Sequence, residues 1–172
     1  MDPTPRFIRT EIATPIGTLL LVTDGQAHVR AVDWHDYETR MLQLLGLHYR
    51  QGFTLVTDPA PAAVVQAFEA YFAGDRQALD RLPVATGGTA FQREVWAALR
   101  GIPLGTTVSY GALAERIGKP RAVRAVGLAN GANPISVVVP CHRVIGASGA
   151  LTGYAGGLAR KRWLLEHEGA LS

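Results

Sequence analysis

Apolar positions in the first third of the chain fall in short, partly alternating runs separated by turn residues. FIRTEIA (7–13), TLLLVT (18–23) and HVRAVDW (28–34) read as strands, since each is rich in β-branched or aromatic residues and bounded by breakers. Pro15-Ile16-Gly17 and Asp24-Gly25 lie between them, so the pattern predicts an antiparallel meander. The period then lengthens to that of an amphipathic helix in DYETRMLQLLGLHY (36–49) and PAAVVQAFEAYF (61–72). In DRLPVATGG (80–88), proline and paired glycines interrupt every period, which marks a connector.

Beyond it the chain reads as short helices. TAFQREVWAALR opens with a capping box, Thr89 to Gln92, and presents Phe91, Val95, Trp96 and Leu99 on one face. Ser109 is placed to cap a second helix, YGALAERIG, with Leu113 and Ile117 inward and Gly118 as its stop. Pro120 suits the first turn of a third, PRAVRAVGLAN. Two short helices joined at Gly118-Lys119 have the grammar of a helix-turn-helix. The second of them is poor in residues that read base edges: apart from Arg121 and Arg124 it offers Ala122, Val123, Ala125, Val126, Gly127, Leu128 and Ala129. Small side chains suit either a buried helix or a close, sequence-indifferent approach to a surface.

Charge sharpens that choice. Residues 1–85 carry a net −3 and residues 86–172 a net +6, with no aspartate in the second half. A basic half on a 172-residue chain points to a polyanion, nucleic acid first, with a solvated basic face as the plain alternative. No apolar run reaches the length of a membrane span, and MDPTPRFIRTEIATP has no apolar signal core. The single cysteine excludes an internal disulfide and a multi-thiolate zinc site, and fits a reducing cytoplasm. His28, His35 and His48 lack metal-like spacing, so no metal is expected.

That cysteine carries the candidate chemistry. Ile135 to Val139 reads as a buried strand, and Pro140 cannot donate to a ladder, so Cys141 is expected where a strand leaves its sheet. His142 supplies a base, but neighbours in an extended strand point to opposite sides, so a turn or a water has to link the pair. Arg143 adds positive charge that favours a thiolate. Downstream, a glycine-rich loop (149–157) precedes a closing helix with Trp163, Leu164 and Leu165. Glu168 is the first candidate to orient His142, with Glu166 and His167 as weaker ones.

TAFQREVWAAL, TTVSYGALAERIGKPRAVRAVGLANGANP, VVPCHRVIG and GYAGGLARKRWLLEHEG together resemble the catalytic domain of the O6-alkylguanine-DNA alkyltransferases over residues 87–169. The first half is similar to the N-terminal domain of their bacterial stand-alone members, with YFAGD (71–75) as the clearest cue. The resemblance implies an α+β fold: an RNase H-like domain at 1–83, with a small antiparallel sheet and helices and a mainly structural role. A mostly helical, winged-helix-like DNA-binding and catalytic domain would follow at 88–172. It implies that Cys141 accepts the alkyl group in a single turnover without a cofactor, activated by His142 and Glu168 through a water. Asn133 would brace the site, and Tyr110 would assist base rotation and hydrogen-bond the flipped guanine. Arg124 would fill the gap left in the duplex, with Ser109, Ala122, Val123, Ala125, Gly127 and Arg143 also at the DNA. Val144, Gly153, Tyr154, Ala155 and Gly156 would wall the substrate pocket. The partner would be double-stranded DNA, met through the minor groove and phosphates without sequence preference, by a cytoplasmic monomer whose cooperativity on DNA is open. O4-alkylthymine would be a further substrate.

Two departures stand out against the family pattern: Val123 replaces a common alanine, and Ala155 stands where several relatives have serine. Two other classes compete with alkyl transfer. A cysteine hydrolase built on Cys141 and His142 needs an oxyanion hole and turns over repeatedly; a non-catalytic DNA-binding protein has no use for the cysteine.

Overall fold

The structure, a computed structural model, describes residues 4–172. Residues 1–3, part of the expected N-terminal domain 1–83, lie outside the described residues. The chain divides into two compact units, with the boundary between Gly88 and Thr89.

In the first unit β1 (Arg6–Thr14), β2 (Gly17–Thr23) and β3 (Val29–Trp34) form the expected meander, β1 and β3 each antiparallel to β2. α1 (Glu38–His48) then carries the chain to β4 (Thr54–Thr57), which pairs parallel to β1, and α2 (Ala62–Ala73) follows. The sheet order β3-β2-β1-β4 makes it mixed rather than wholly antiparallel. The four-residue β4 is too short to show a period, and its parallel pairing depends on the α1 crossover. Leu19 to Thr23 are buried without alternation, so β2 is covered on both faces. Phe7, Leu20, Val22 and Ala31 pack with Met41 and Leu45 of α1, and Tyr49, Phe53 and Leu55 close the edge of that cluster. α2 packs against β1 with Val64, Phe68 and Tyr71 buried.

The second unit begins with α3 (Ala90–Arg100). Both halves of its capping box form: Thr89 Oγ1 accepts from Gln92 N at 3.1 Å, and Gln92 Oε1 accepts from Thr89 N at 3.0 Å. Val95, Trp96 and Leu99 are buried, and Phe91 is half-buried. A two-residue strand, β5 (Val108–Ser109), leads into α4 (Tyr110–Arg116), where Ser109 Oγ accepts from Ala112 N at 3.0 Å. Gly118, at φ +73, ends the helix, with Lys119 N reaching back to Ala114 O and Gly118 N to Glu115 O. α5 (Val123–Gly131) starts three residues later than the sequence predicts. Pro120 is not its first helical residue: Ala122 N bonds Lys119 O at 2.9 Å, placing Pro120 inside a turn that its fixed φ favours. The helix-turn-helix thus has a six-residue link, 117–122. Trp96 Nε1 donates to Ala129 O at 2.9 Å and ties α3 to α5. β6 (Val144–Ile145) pairs parallel to β5, and α6 (Leu158–His167) closes the unit. Among the described residues no helix is long and apolar enough to cross a membrane.

Candidate active site

The apolar run before the cysteine is not a strand. Residues 135–139 form a buried turn in which Val138 N bonds Ser136 O at 2.8 Å and Val139 N bonds Ile135 O at 3.0 Å. Val137 takes φ +71, a conformation a β-branched residue adopts only when its surroundings over-determine it. Asn133 does much of that. Its Nδ2 donates to Val139 O at 2.8 Å and Ile135 O at 3.4 Å, and its Oδ1 accepts from Ile135 N at 3.0 Å. One buried amide therefore satisfies backbone groups that a sheet would otherwise have taken.

Pro140 continues the turn. With φ −82 and ψ 65, and Cys141 N bonded to Val139 O at 2.8 Å, it is the centre of an inverse γ-turn. Cys141, His142 and Arg143 then form a single 3₁₀ turn, Arg143 N bonding Pro140 O at 3.0 Å, before β6. So the turn that Cys141 and His142 need is present, and Pro140 starts it. All three residues are buried, Cys141 at 6% and His142 at 0% exposure.

Glu168 closes the arrangement from the C-terminal cap of α6. Its Oε2 lies 2.8 Å from His142 Nε2, and its Oε1 accepts from Arg143 Nε at 2.8 Å. Burial alone would raise the Glu168 carboxyl. The charge of His142 and the hydrogen bonds from His142 and Arg143 outweigh that and hold it well below the carboxylate range. Because the carboxylate is ionised, His142 Nε2 must be the protonated nitrogen, and in the neutral ring Nδ1 carries the lone pair. Nδ1 is buried and meets no hydrogen-bond partner among the described residues. A neutral His142 would therefore offer its lone pair at Nδ1, the atom a general base would use.

Arg143, expected at the DNA, has its guanidinium turned into the protein. It is buried, with Nε on Glu168 and one terminal nitrogen donating to Ile102 O at 2.8 Å. A guanidinium held this way positions Glu168, and a second buried cation interacts electrostatically with Cys141. Lys161 of α6 is fully buried and donates to Val144 O at 2.5 Å and Thr152 O at 2.6 Å. Burial pushes its pKa from 10.5 down to about 8, while attraction to the Cys141 thiolate works the other way. The sequence held one signal for it: arginine outnumbers lysine 15 to 2, so a lysine inside RKRWLL breaks the chain's own habit. A compact ammonium fits between two carbonyls where a planar guanidinium does not.

Tyr110 joins two of the remaining regions. Tyr110 stands at the start of α4, and a side chain at Gly127 of α5 would touch its ring at 3.7 Å. A side chain at Gly153, which takes φ +54, would press its hydroxyl at 3.3 Å. Tyr110 therefore spans from α5 to the glycine-rich loop. In that loop Tyr154 and Gly156 are buried and Ala155 is half-buried; Val144 lies in the core of the unit. Arg124, Val123 and Ala125 are exposed on α5, with Ser109, Ala122 and Gly127 half-buried. Glu166 pairs with Arg162 at 3.8 Å and His167 stacks on Trp163, so neither competes with Glu168 for His142. Among the described residues no group of three or more His, Cys, Asp or Glu side chains could hold a metal ion.

Comparison with known proteins bears on what this arrangement does. Residues 8–86 match the family described as 6-O-methylguanine DNA methyltransferase, ribonuclease-like domain, and residues 90–170 match its DNA binding domain. The chain is 54% identical over 167 residues to a methylated-DNA--protein-cysteine methyltransferase of Shigella flexneri, covering 96% of this chain and 98% of the relative. It is 56% identical, over the same coverage, to one from Salmonella typhimurium. The fold resembles the crystal structure of Mycobacterium tuberculosis OGT in complex with DNA, with a TM-score of 0.79 and 43% identity. That match covers 95% of this chain and 93% of the other.

Proposed function

The chain belongs to the 6-O-methylguanine DNA methyltransferase family, and from that premise we propose that it repairs DNA by taking an alkyl group from guanine O6 onto Cys141, once per molecule. The observation that carries this reading is the Glu168–His142 hydrogen bond, which occupies Nε2 and leaves Nδ1 without a partner among the described residues, in the residue next to the chain's one cysteine.

The chemistry follows from the groups present. His142 Nδ1 takes the thiol proton through a water, with the buried Lys161 ammonium nearby to favour the anion. The thiolate attacks the alkyl carbon in line, the carbon–O6 bond breaks, and its electron pair returns to the guanine, which takes up a proton at N1. The product is a thioether. Water does not cleave it as it would a thioester, and no second cysteine exists to exchange with it. One alkyl group consumes one protein, without a cofactor.

The target atom sits inside the base stack, so the nucleotide has to be flipped out to reach a buried sulfur. Arg124, exposed on the helix of small residues, would fill the gap, and Tyr110, whose ring lies by Gly127 and whose hydroxyl lies by Gly153, would turn and hold the base. The loop around Tyr154 would wall the alkyl group. Binding would come mainly from phosphates, with α5 in the minor groove, and weaken with salt. O4-alkylthymine would enter the same pocket. A monomer in a reducing cytoplasm fits the lone thiol.

Intact mass spectrometry after incubation with a duplex carrying O6-methylguanine tests the central claim. The expected result is a single methyl adduct on Cys141 at one equivalent and none in Cys141→Ser. Repair continuing well beyond one equivalent would make the protein a hydrolase instead.

A further inference from the structure

At about 100° per residue, Val123, Gly127, Gly131, Arg124 and Leu128 fall on one outward arc of α5, while Val126, Ala129 and Asn130 turn inward and are buried. Gly131 has nothing within 4 Å of where a side chain would start, and Gly127 meets only the Tyr110 ring. Between Val123 and Arg124 the arc therefore carries no side chain of its own, with the Tyr110 ring beside Gly127. Its flanks are apolar, with Val123 38% exposed on one side and Leu128 71% exposed on the other. Leu128 is the most exposed large apolar residue among those described, and it lies one helical turn beyond Arg124. Helix formation does not require it there, since alanine would serve better. Left in water, it forgoes the burial that its side chain makes available.

We propose that Leu128 is a DNA-contacting residue that packs against the sugar edges of the minor groove beside the point where Arg124 enters. This rests on the reading of α5 as the DNA-facing helix. The two glycines bring the helix backbone close enough for a leucine to reach the groove floor or a loosened base step. Apolar side chains are used at minor grooves to hold steps apart. Deoxyribose edges are alike at every step, so the contact carries no sequence preference, as a search for damage in any sequence demands. The charged side chains around it, Arg124 and Arg121, are exposed and attract phosphates; Leu128 adds an apolar contact that salt does not screen.

The test uses the full chain with Leu128→Ala, Leu128→Met and Arg124→Ala. Three quantities are read for each: affinity for unmodified duplex at low and physiological salt, repair rate on duplex O6-methylguanine, and reaction rate with free O6-benzylguanine. Leu128→Ala is expected to lower duplex affinity and duplex repair about tenfold. The salt slope and the benzylguanine rate should stay at parental values, and Leu128→Met should recover most of the loss. Parental duplex repair in Leu128→Ala, with Arg124→Ala impaired, overturns the role of Leu128 alone. Parental repair in both overturns the placement of DNA on α5. A changed salt slope in Leu128→Ala also overturns the proposal, because an apolar contact releases no counterions.

Discussion

The two units bury different things. In the first, the buried polar residues are Thr23, Asp24 and Asp33, all near the ends of strands, and the rest of its interior is hydrocarbon and aromatic. In the second, Asn130, Asn133, Ser136, His142, Arg143, Lys161 and Glu168 are all buried. A buried charge is costly and adds little net stability even when paired. Four ionisable groups inside one small unit are therefore explained by chemistry rather than by folding. The sheet unit is built as a core should be; the helical unit accepts an expensive interior that gathers a histidine, a carboxylate and two cations close to the one cysteine in sequence or in space.

The sharpest way to break this contrast is Glu168→Gln. The amide offers one acceptor where His142 Nε2–H and Arg143 Nε–H converge, and it leaves the guanidinium without a counter-charge. A loss of about 3–5 kcal/mol is expected in chemical denaturation, together with a fall on the order of 10²-fold in the O6-benzylguanine rate. The acid limb should change as well. The carboxyl is depressed in the folded state, so its stabilisation is complete above its ordinary value of 4.5 and fades as pH falls below it. Glu168→Gln should flatten that fall.

Leu20→Ala is the counterpart in the sheet. Leu20 is fully buried in the cluster under α1, and truncation should cost about 2–5 kcal/mol. The benzylguanine rate per folded molecule should be parental. A rate that falls with stability would mean that the first unit does more than fold.

Lys161→Met probes the buried cation alone. Lysine folded at about 8 and unfolded at 10.5 binds fewer protons in the native state between those values, so stability should rise with pH across that window. Thermal melts from pH 8 to 10 should show the rise in the parent and lose it in Lys161→Met. The smallest effect expected is that of Thr89→Ala, which removes one side of the α3 capping box. It should cost about 1 kcal/mol by denaturation and leave the site chemistry unchanged.

Much was legible without coordinates wherever the signal is local. The meander, the Thr89 and Ser109 caps and the Gly118 stop depend on residues three or four apart, and each stands in the structure as read. Pro120 misled because a proline that suits the first turn of a helix equally suits the turn before it. The run from Ile135 to Val139 misled because its β-branched residues favour a strand, and the Asn133 amide, together with backbone bonds inside the run, supplies the hydrogen bonds that hold it as a turn.

By itself the sequence determined the meander, most of the helices and their caps, the single cysteine with its neighbouring histidine, and a second half basic enough to meet DNA. The tertiary structure decided what no local pattern encodes. It set β4 parallel to β1 and chose Glu168 over Glu166 and His167. It also drew Arg143 inward to that carboxylate and sank Lys161 between two carbonyls. The physical reason is common to all four. A charge or an edge strand finds its partner well beyond the reach of any local pattern, from 9 residues away for Lys161 to 26 for His142 and Glu168 and further for β4, and only the folded core brings the two together and removes the water that would otherwise have satisfied each alone.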